Sequence, residues 1–315
     1  MMRVWRSVGT VMFGTALCLG ACAKDPAGSA ASDVCAHDIH LTDRPLTQRA
    51  KAMFITARVN GGDAVLQVDT GAYANLLTVA AARRLGMKIL NAQAGFADGF
   101  GGSHRIGVAA GESIDIGAAH GGRHDFDVID DPDKFVDSDG LLGMDLLGNF
   151  DIDLDLWGNR LGLFVPVAGC SEPVAALSPP LYAAPLVDRR IDYRPIVDVV
   201  INGETMHALI DSGAARSVIF RRDAERAGLL AAAPQAAAVK IVGIGPRVVT
   251  GAMVRSPPMV IGGLTFERFP LVIADELRLG DTGVVLGWDF INLVHVWISH
   301  SSHTLIMQYP PRATP

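Results

Sequence analysis

Val65-Leu66-Gln67-Val68-Asp69-Thr70-Gly71-Ala72 and, 142 residues on, His207-Ala208-Leu209-Ile210-Asp211-Ser212-Gly213-Ala214 are two versions of one pattern. In each, a largely apolar run reaches an acid, a hydroxyl and a glycine, which reads as a strand entering a tight loop. The surroundings repeat in the same register. Asn60-Gly61 and Asn202-Gly203 precede the two strands at a spacing of 142, and Gly86 and Gly228 follow at the same spacing. Those glycines suit the ends of short helices expected over 78–85 and 220–227. Further on, Leu141-Leu142-Gly143-Met144-Asp145 faces Val285-Leu286-Gly287-Trp288-Asp289, now 144 residues apart. Each copy closes with an apolar hairpin, 150–164 and 291–307. One lobe has been duplicated within the chain.

Length and composition agree with that division. At roughly 150 residues per domain, 315 residues make two lobes. With 50% hydrophobic and 19% charged residues, 34 Gly and 17 Pro, a disordered, collagen-like or coiled-coil chain is excluded. From Met53 onward short β-branched runs are broken by Gly, so the expected class is all-β. The expected boundaries are 50–165 for the first lobe, 166–192 for a Pro- and Ala-rich linker, and 193–312 for the second lobe. A net charge of −6 without any long basic run argues against nucleic acid as a partner.

The paired acids carry the chemistry. Two carboxylates held about 3 Å apart cannot both ionise, so they share one proton and titrate as a pair. The ionised member can take a proton from a bridging water while the protonated member donates to a substrate carbonyl. Asp69 and Asp211 are the candidate catalytic residues. Thr70 and Ser212 supply neighbouring hydroxyls, and Gly71 and Gly213 allow the tight loops. By average composition a D-[ST]-G tripeptide arises by chance on the order of a fifth of a time in such a chain. A third one, Asp281-Thr282-Gly283, is therefore unsurprising. It follows Arg278-Leu279-Gly280 instead of an apolar strand and reads as a turn.

The strand, D-[TS]-G-A loop and apolar-apolar-Gly segment, twice over, resemble the aspartic proteases of the pepsin and retropepsin type. The likeness is nearest to bacterial single-chain, two-lobed members and spans roughly 50–309. It implies a two-lobed all-β fold in which Asp69 and Asp211 are the dyad, Thr70 and Ser212 interlock their loops, and Gly143 and Gly287 lie in segments crossing beneath. It also implies an endopeptidase acting on peptide or protein substrates without a cofactor, and a monomer, since both acids lie on one chain. Gly-rich stretches at 95–107 and 243–251 match the family's β-hairpin flaps, making Phe96, Phe100 and His104 candidate substrate contacts. The first stretch lacks the Tyr of pepsin's flap, which favours the retropepsin-like branch. Ala72 and Ala214 replace hydroxyl-bearing residues of pepsin-like enzymes, which implies a less acidic optimum. The competing reading is a catalytically silent, peptide-binding envelope lipoprotein of the same fold. Intact Asp, Thr or Ser and Gly in both copies argue against it.

At the N-terminus, Arg3 and Arg6 precede an apolar run over 8–19, too short to span a bilayer and suited to a signal peptide over 1–21. Leu19-Gly20-Ala21-Cys22 resembles the lipobox of bacterial lipoproteins. The resemblance implies acylation at Cys22, a tether over 22–49, and, with Ala23 instead of Asp next in line, the periplasmic side of the outer membrane. Cys35 and Cys170 then remain, either paired in that oxidising compartment or as two buried thiols. No metal site is expected: His120 with His124, His300 with His303, and Cys35 with His37 and His40 lack the further ligands one needs. Asp151, Asp153 and Asp155 alternate with Ile152, Leu154 and Leu156, as on the solvent face of a strand.

Overall fold

The computed structural model describes residues 51–165, 179–189, 192–275 and 280–309, with Leu177 and the backbone of the strand Ala36–His40. The signal segment, Cys22, Cys35 and Cys170 lie outside the described residues.

The first hairpin of each lobe shows how the sequence sets the architecture. Phe54–Val59 and Gly62–Val68 pair antiparallel, with Val59 opposite Gly62. The two residues between, Asn60 and Gly61, have φ of 52° and 77°, the left-handed pair that a twisted two-residue hairpin requires. Ile196–Ile201 and Glu204–Ile210 repeat the arrangement through Asn202 and Gly203, at 53° and 81°. After each acid a short strand follows, Leu76–Thr78 or Val218–Phe220, and then a helix, Val79–Arg84 or Arg221–Arg226. Thr78 caps the first helix by accepting from the Ala81 amide at 3.1 Å.

Among the described residues the strands form three sheets. Two contain nine strands each and have the same strand order, so the duplication read in the sequence is a duplication of topology. In each, the segment after the flap threads back: Gly140–Leu142 runs parallel to Gly62–Val68 and antiparallel to Leu76–Thr78. Thr282–Leu286 does the same between Glu204–Ile210 and Val218–Phe220. The chain thus passes through the middle of the loop that carries each acid.

The third sheet joins the lobes. Its six strands run Ala36–His40, Arg160–Phe164, Asp151–Asp155, His295–Ser299, Thr304–Gln308 and Leu181–Pro185. The central pairing, Asp151–Asp155 with His295–Ser299, joins one lobe to the other strand to strand. Within the expected tether and linker, Ala36–His40 and Leu181–Pro185 are therefore strands on the two edges of this sheet.

That sheet also overturns one expectation. Asp151 and Asp153 are not on a solvent face; they are 6% and 4% exposed. Asp151 accepts hydrogen bonds from the Ser299 hydroxyl and from the amide and hydroxyl of Ser301. Asp153 pairs with Arg160 at 2.7 Å and hydrogen-bonds His295. The second lobe covers this face and supplies His295, Ser299 and Ser301, while Arg160 comes from the adjacent strand of the same lobe; alternation in one strand reveals neither. Removing one member of a buried pair leaves its partners uncompensated, at a cost of about 3 kcal/mol. Asp153→Ala should lower the thermal midpoint by several degrees in calorimetry.

Candidate active site

The acids sit at the junction of the two nine-stranded sheets. The Asp69 amide donates to Leu142 O at 3.0 Å and the Asp211 amide to Leu286 O at 2.9 Å, so each acid is pinned to the segment threading behind it. Each side chain folds back onto its own loop. Asp69 Oδ1 accepts from the amides of Gly71 and Ala72 at 3.0 and 2.9 Å, and Asp211 Oδ1 from those of Gly213 and Ala214 at 2.9 and 3.1 Å. The glycines are required by the approach of the opposite lobe. A Cβ on Gly71 would lie 2.3 Å from Asp211 Cγ, and one on Gly213 2.3 Å from Asp69 Cγ.

Thr70 and Ser212, both fully buried, lock the loops together. The Thr70 amide donates to Ser212 Oγ and the Ser212 amide to Thr70 Oγ1, each at 3.0 Å. The Thr70 hydroxyl donates to Ile210 O and the Ser212 hydroxyl to Val68 O, each at 2.7 Å. Gln67 Nε2 adds a bond to Gly213 O at 3.1 Å. The two carboxyl groups are thereby brought together, each against the glycine of the opposite loop.

Burial governs their protonation. It lifts Asp69 well above the ordinary carboxylate range, and the charge of Asp211 lifts it further, against the Gly71 and Ala72 amides. Burial raises Asp211 too, while its bond from Asp69, the loop amides and the charge of Arg194 act in the opposite direction. One proton therefore stays in the pair through a range where isolated carboxylates have lost theirs.

Two hairpins roof the site. Lys88–Gly99 and Gly102–Gly111 form the first, with Phe100 and Gly101 at its tip, and Ala237–Ile241 and Val249–Arg255 form the second. Their tips join: the Gly101 amide donates to Ile244 O at 2.8 Å and the Arg247 amide to Gly101 O at 3.0 Å. The tips also cross. Phe100 packs into the apolar cluster of Val218, Phe220 and Val285 beside Ala214, with its ring 6.0 Å from that of Phe220. Ile244 packs into the cluster of Leu76, Ile106 and Leu141 beside Ala72. Of the three flap residues singled out by sequence, only Phe100 crosses to the apolar cluster of the other lobe. Phe96 is 62% exposed beneath the Arg105 guanidinium, and His104 hydrogen-bonds Arg105 O.

Sequence reasoning missed the groups that brace the loops from behind. Asp145 accepts from the Asn75 amide at 2.9 Å, and Asn75 Oδ1 accepts from the Gly143 amide at 2.8 Å. In the second lobe Asp289 accepts from the amide and hydroxyl of Ser217 at 3.0 and 2.6 Å, and the Gly287 amide donates to Ser217 Oγ at 3.0 Å. The signal was available: Asp145 and Asp289 each stand two residues after the matched glycine, and Asn75 and Ser217 are 142 apart. Asp281 of the third tripeptide lies in a turn, paired with Arg189. Among the described residues no three His, Cys, Asp or Glu are placed to hold a metal ion, and no helix is long and apolar enough to cross a membrane.

The comparisons with known proteins divide at the same point as the duplication. Residues 55–149 match a family model described as "gag-polyprotein putative aspartyl protease", and residues 197–290 match one described as "Aspartyl protease". No curated protein matches the sequence. By structure the chain is similar to the aspartic proteinase of Irpex lacteus, at a TM-score of 0.56 and 13% identity over 89% of this chain and 98% of that one. That likeness shows the pepsin-like fold. With an aspartyl-protease match in each lobe, the chain is a two-lobed aspartic protease of the retropepsin and pepsin type.

Thr70→Val should cost about 1–3 kcal/mol in urea unfolding, because it strands a buried amide and a buried carbonyl; Thr70→Ser should stay near wild type. The acids themselves work against stability. The folded pair holds a proton more tightly than the unfolded chain, so the stability it confers is complete at acid pH and is lost as pH rises through the folded value. Asp69→Asn should therefore raise the melting midpoint near neutral pH, with the gain fading as the pH approaches the ordinary carboxylate value of 3.8.

Proposed function

We propose that this chain is an endopeptidase whose catalytic residues are Asp69 and Asp211, hydrolysing internal peptide bonds with a water held between them. What carries the reading is the meeting of two carboxyl groups from opposite lobes, Asp211 buried and Asp69 half-buried, each on two amides of its own loop, beneath paired hairpins. The ionised carboxylate takes a proton from the water as its oxygen attacks the substrate carbonyl carbon, and the protonated carboxyl donates to the carbonyl oxygen. The tetrahedral species collapses when the leaving nitrogen receives a proton and the C–N bond breaks. Acid and base come from one pair, so the step needs no covalent intermediate.

An extended peptide fits between the acids and the flaps, hydrogen-bonding through its backbone as an added strand. The tips at Gly101 and Ile244 must part to admit it and rejoin over it, shutting bulk solvent out while the one reacting water stays between the acids. The apolar clusters beside Ala72 and Ala214 support apolar side chains next to the scissile bond. With both acids on one polypeptide, the monomer is the working unit. We further place the protein in the bacterial cell envelope, anchored through an acylated Cys22 on the periplasmic face of the outer membrane. The support for that is the N-terminal sequence.

Purified signal-free protein should cleave a peptide library as a monomer, with a bell-shaped pH dependence and inhibition by a statine-type transition-state analogue. Asp69→Asn and Asp211→Asn should each lower kcat by several orders of magnitude, because acid and base act as one unit. Wild-type rates in either variant would mean that the working site lies elsewhere. A wild-type protein that binds peptides and cleaves none would instead support the silent peptide-binding reading.

A further inference from the structure

Behind the loop of Asp69 one imidazole faces two groups that a single nitrogen cannot satisfy together. His124 Nε2 lies 2.8 Å from Asn75 Nδ2 and 3.2 Å from Asp145 Oδ2. Asn75 Oδ1 accepts from the Gly143 amide at 2.8 Å, which fixes the side-chain amide and aims its NH2 at the ring. An unprotonated Nε2 accepts from Asn75 and turns its lone pair on the Asp145 carboxylate. A protonated Nε2 donates to Asp145 and meets the Asn75 NH2 donor to donor. The contact therefore has two arrangements, selected by one proton. The ring is only 19% exposed and meets Phe126 edge-on at 5.2 Å, so it is largely shielded from water. The second lobe has no such group. There Ser217 takes the place of Asn75, donating to Asp289 at 2.6 Å and accepting from the Gly287 amide at 3.0 Å. By strand register, with Leu76 opposite Asp127 and Val218 opposite Val272, the place of His124 falls to the buried Phe269.

We propose that His124 is a proton-operated positioning residue for the loop of Asp69. This rests on the dyad reading above and adds a control present in one lobe only. Neutral, with its proton on Nδ1, the ring anchors Asn75 and through it the Gly143 amide. From there the path to the acid is short. The Met144 amide donates to Ala72 O at 3.0 Å, the Asp145 amide to Tyr73 O at 3.1 Å, and the Ala72 amide to Asp69 Oδ1 at 2.9 Å. Protonated, the ring takes Asp145 Oδ2 as its partner in a charge-assisted bond. Asn75 then loses its acceptor and is pushed from the ring, and its bond to the Gly143 amide loosens. Asp145 is drawn toward the ring at the same time, away from the Asn75 amide that it holds at 2.9 Å. One proton thus biases a two-state brace behind the acid. The charged group in contact with the ring is Asp145. On the elements packed around it, Arg123 and Asp125 flank it in the chain and Asp127 follows on its strand. Glu112 stands next to its strand partner Gly111, and Arg83 and Arg84 lie on the helix Val79–Arg84 that packs on this strand.

The test is an NMR titration of the folded wild type from about pH 5 to 8, the span in which imidazoles exchange their proton. It needs no variant, and it follows the His124 ring, the Asn75 side-chain amide and the Gly143 amide together. The two amide signals should shift with the same midpoint as the ring. Amides that stay flat while the ring titrates overturn the proposal. The pH profile of kcat/KM is the second readout. Besides the limbs set by the dyad it should carry a step of about fivefold, lower on the acid side, the size of one lost hydrogen bond. His124→Gln keeps an acceptor for Asn75 and has no proton to exchange, so in that variant the step should vanish. A purely structural role would lower kcat by one factor at every pH. An active enzyme whose profile lacks the step, or keeps it in His124→Gln, also overturns the proposal. Coupled ring and amide titrations in a protein that cleaves nothing would uphold the switch and defeat the enzymatic reading.

Discussion

The exchange of hydrogen bonds between Thr70 and Ser212 is the constraint on which the site depends. Two full charges about 4 Å apart repel by on the order of 4 kcal/mol at the dielectric of a partly buried site. Four buried hydrogen bonds, each with a net value of about 1 kcal/mol, are of the same size. The grip can therefore hold the acids together, and retaining one proton in the pair removes most of what it must resist. Geometry and protonation are two sides of one balance. The same closeness leaves no room for a Cβ at Gly71 or Gly213, which ties the tripeptide to its contact with the opposite lobe.

Everything else in the fold serves that meeting. The six-stranded sheet fixes the lobes at their base, where Ile152 faces Ile298 and Leu154 faces Val296 across the joint. Above, the flap tips trade places, with Phe100 on the second lobe's cluster and Ile244 on the first lobe's. The lobes are thus joined at three levels: strands below, hydroxyls in the middle and crossed tips on top. At the uppermost level two hydrogen bonds close the roof.

Much of this was legible before any coordinates. The spacing of 142 between Asp69 and Asp211, with the Asn-Gly turns and helix-ending glycines in register, carries the duplication, the topology and the identity of the paired acids. What was hidden depends on the other lobe. Alternation along Asp151–Asp155 gives the two faces of a strand and cannot say that both are covered, one of them by His295, Ser299 and Ser301. Phe96 and Phe100 look alike in sequence, and only the pairing of Phe96 with Arg105 places the one on an exposed face and the other at the tip. The edge strands Ala36–His40 and Leu181–Pro185 hold equivalent places on the two sides of the six-stranded sheet, yet their sequences do not repeat, so neither was legible as a strand.

The central claim is that two acids far apart in the chain hold a single proton between them. Difference potentiometric titration of the folded wild type against the Asp69→Asn, Asp211→Asn double variant counts that proton directly. The account predicts release in two separated steps, with one proton retained well above the ordinary carboxylate value of 3.8. Two protons leaving together near that value would show that the carboxyl groups titrate independently, and would contradict it.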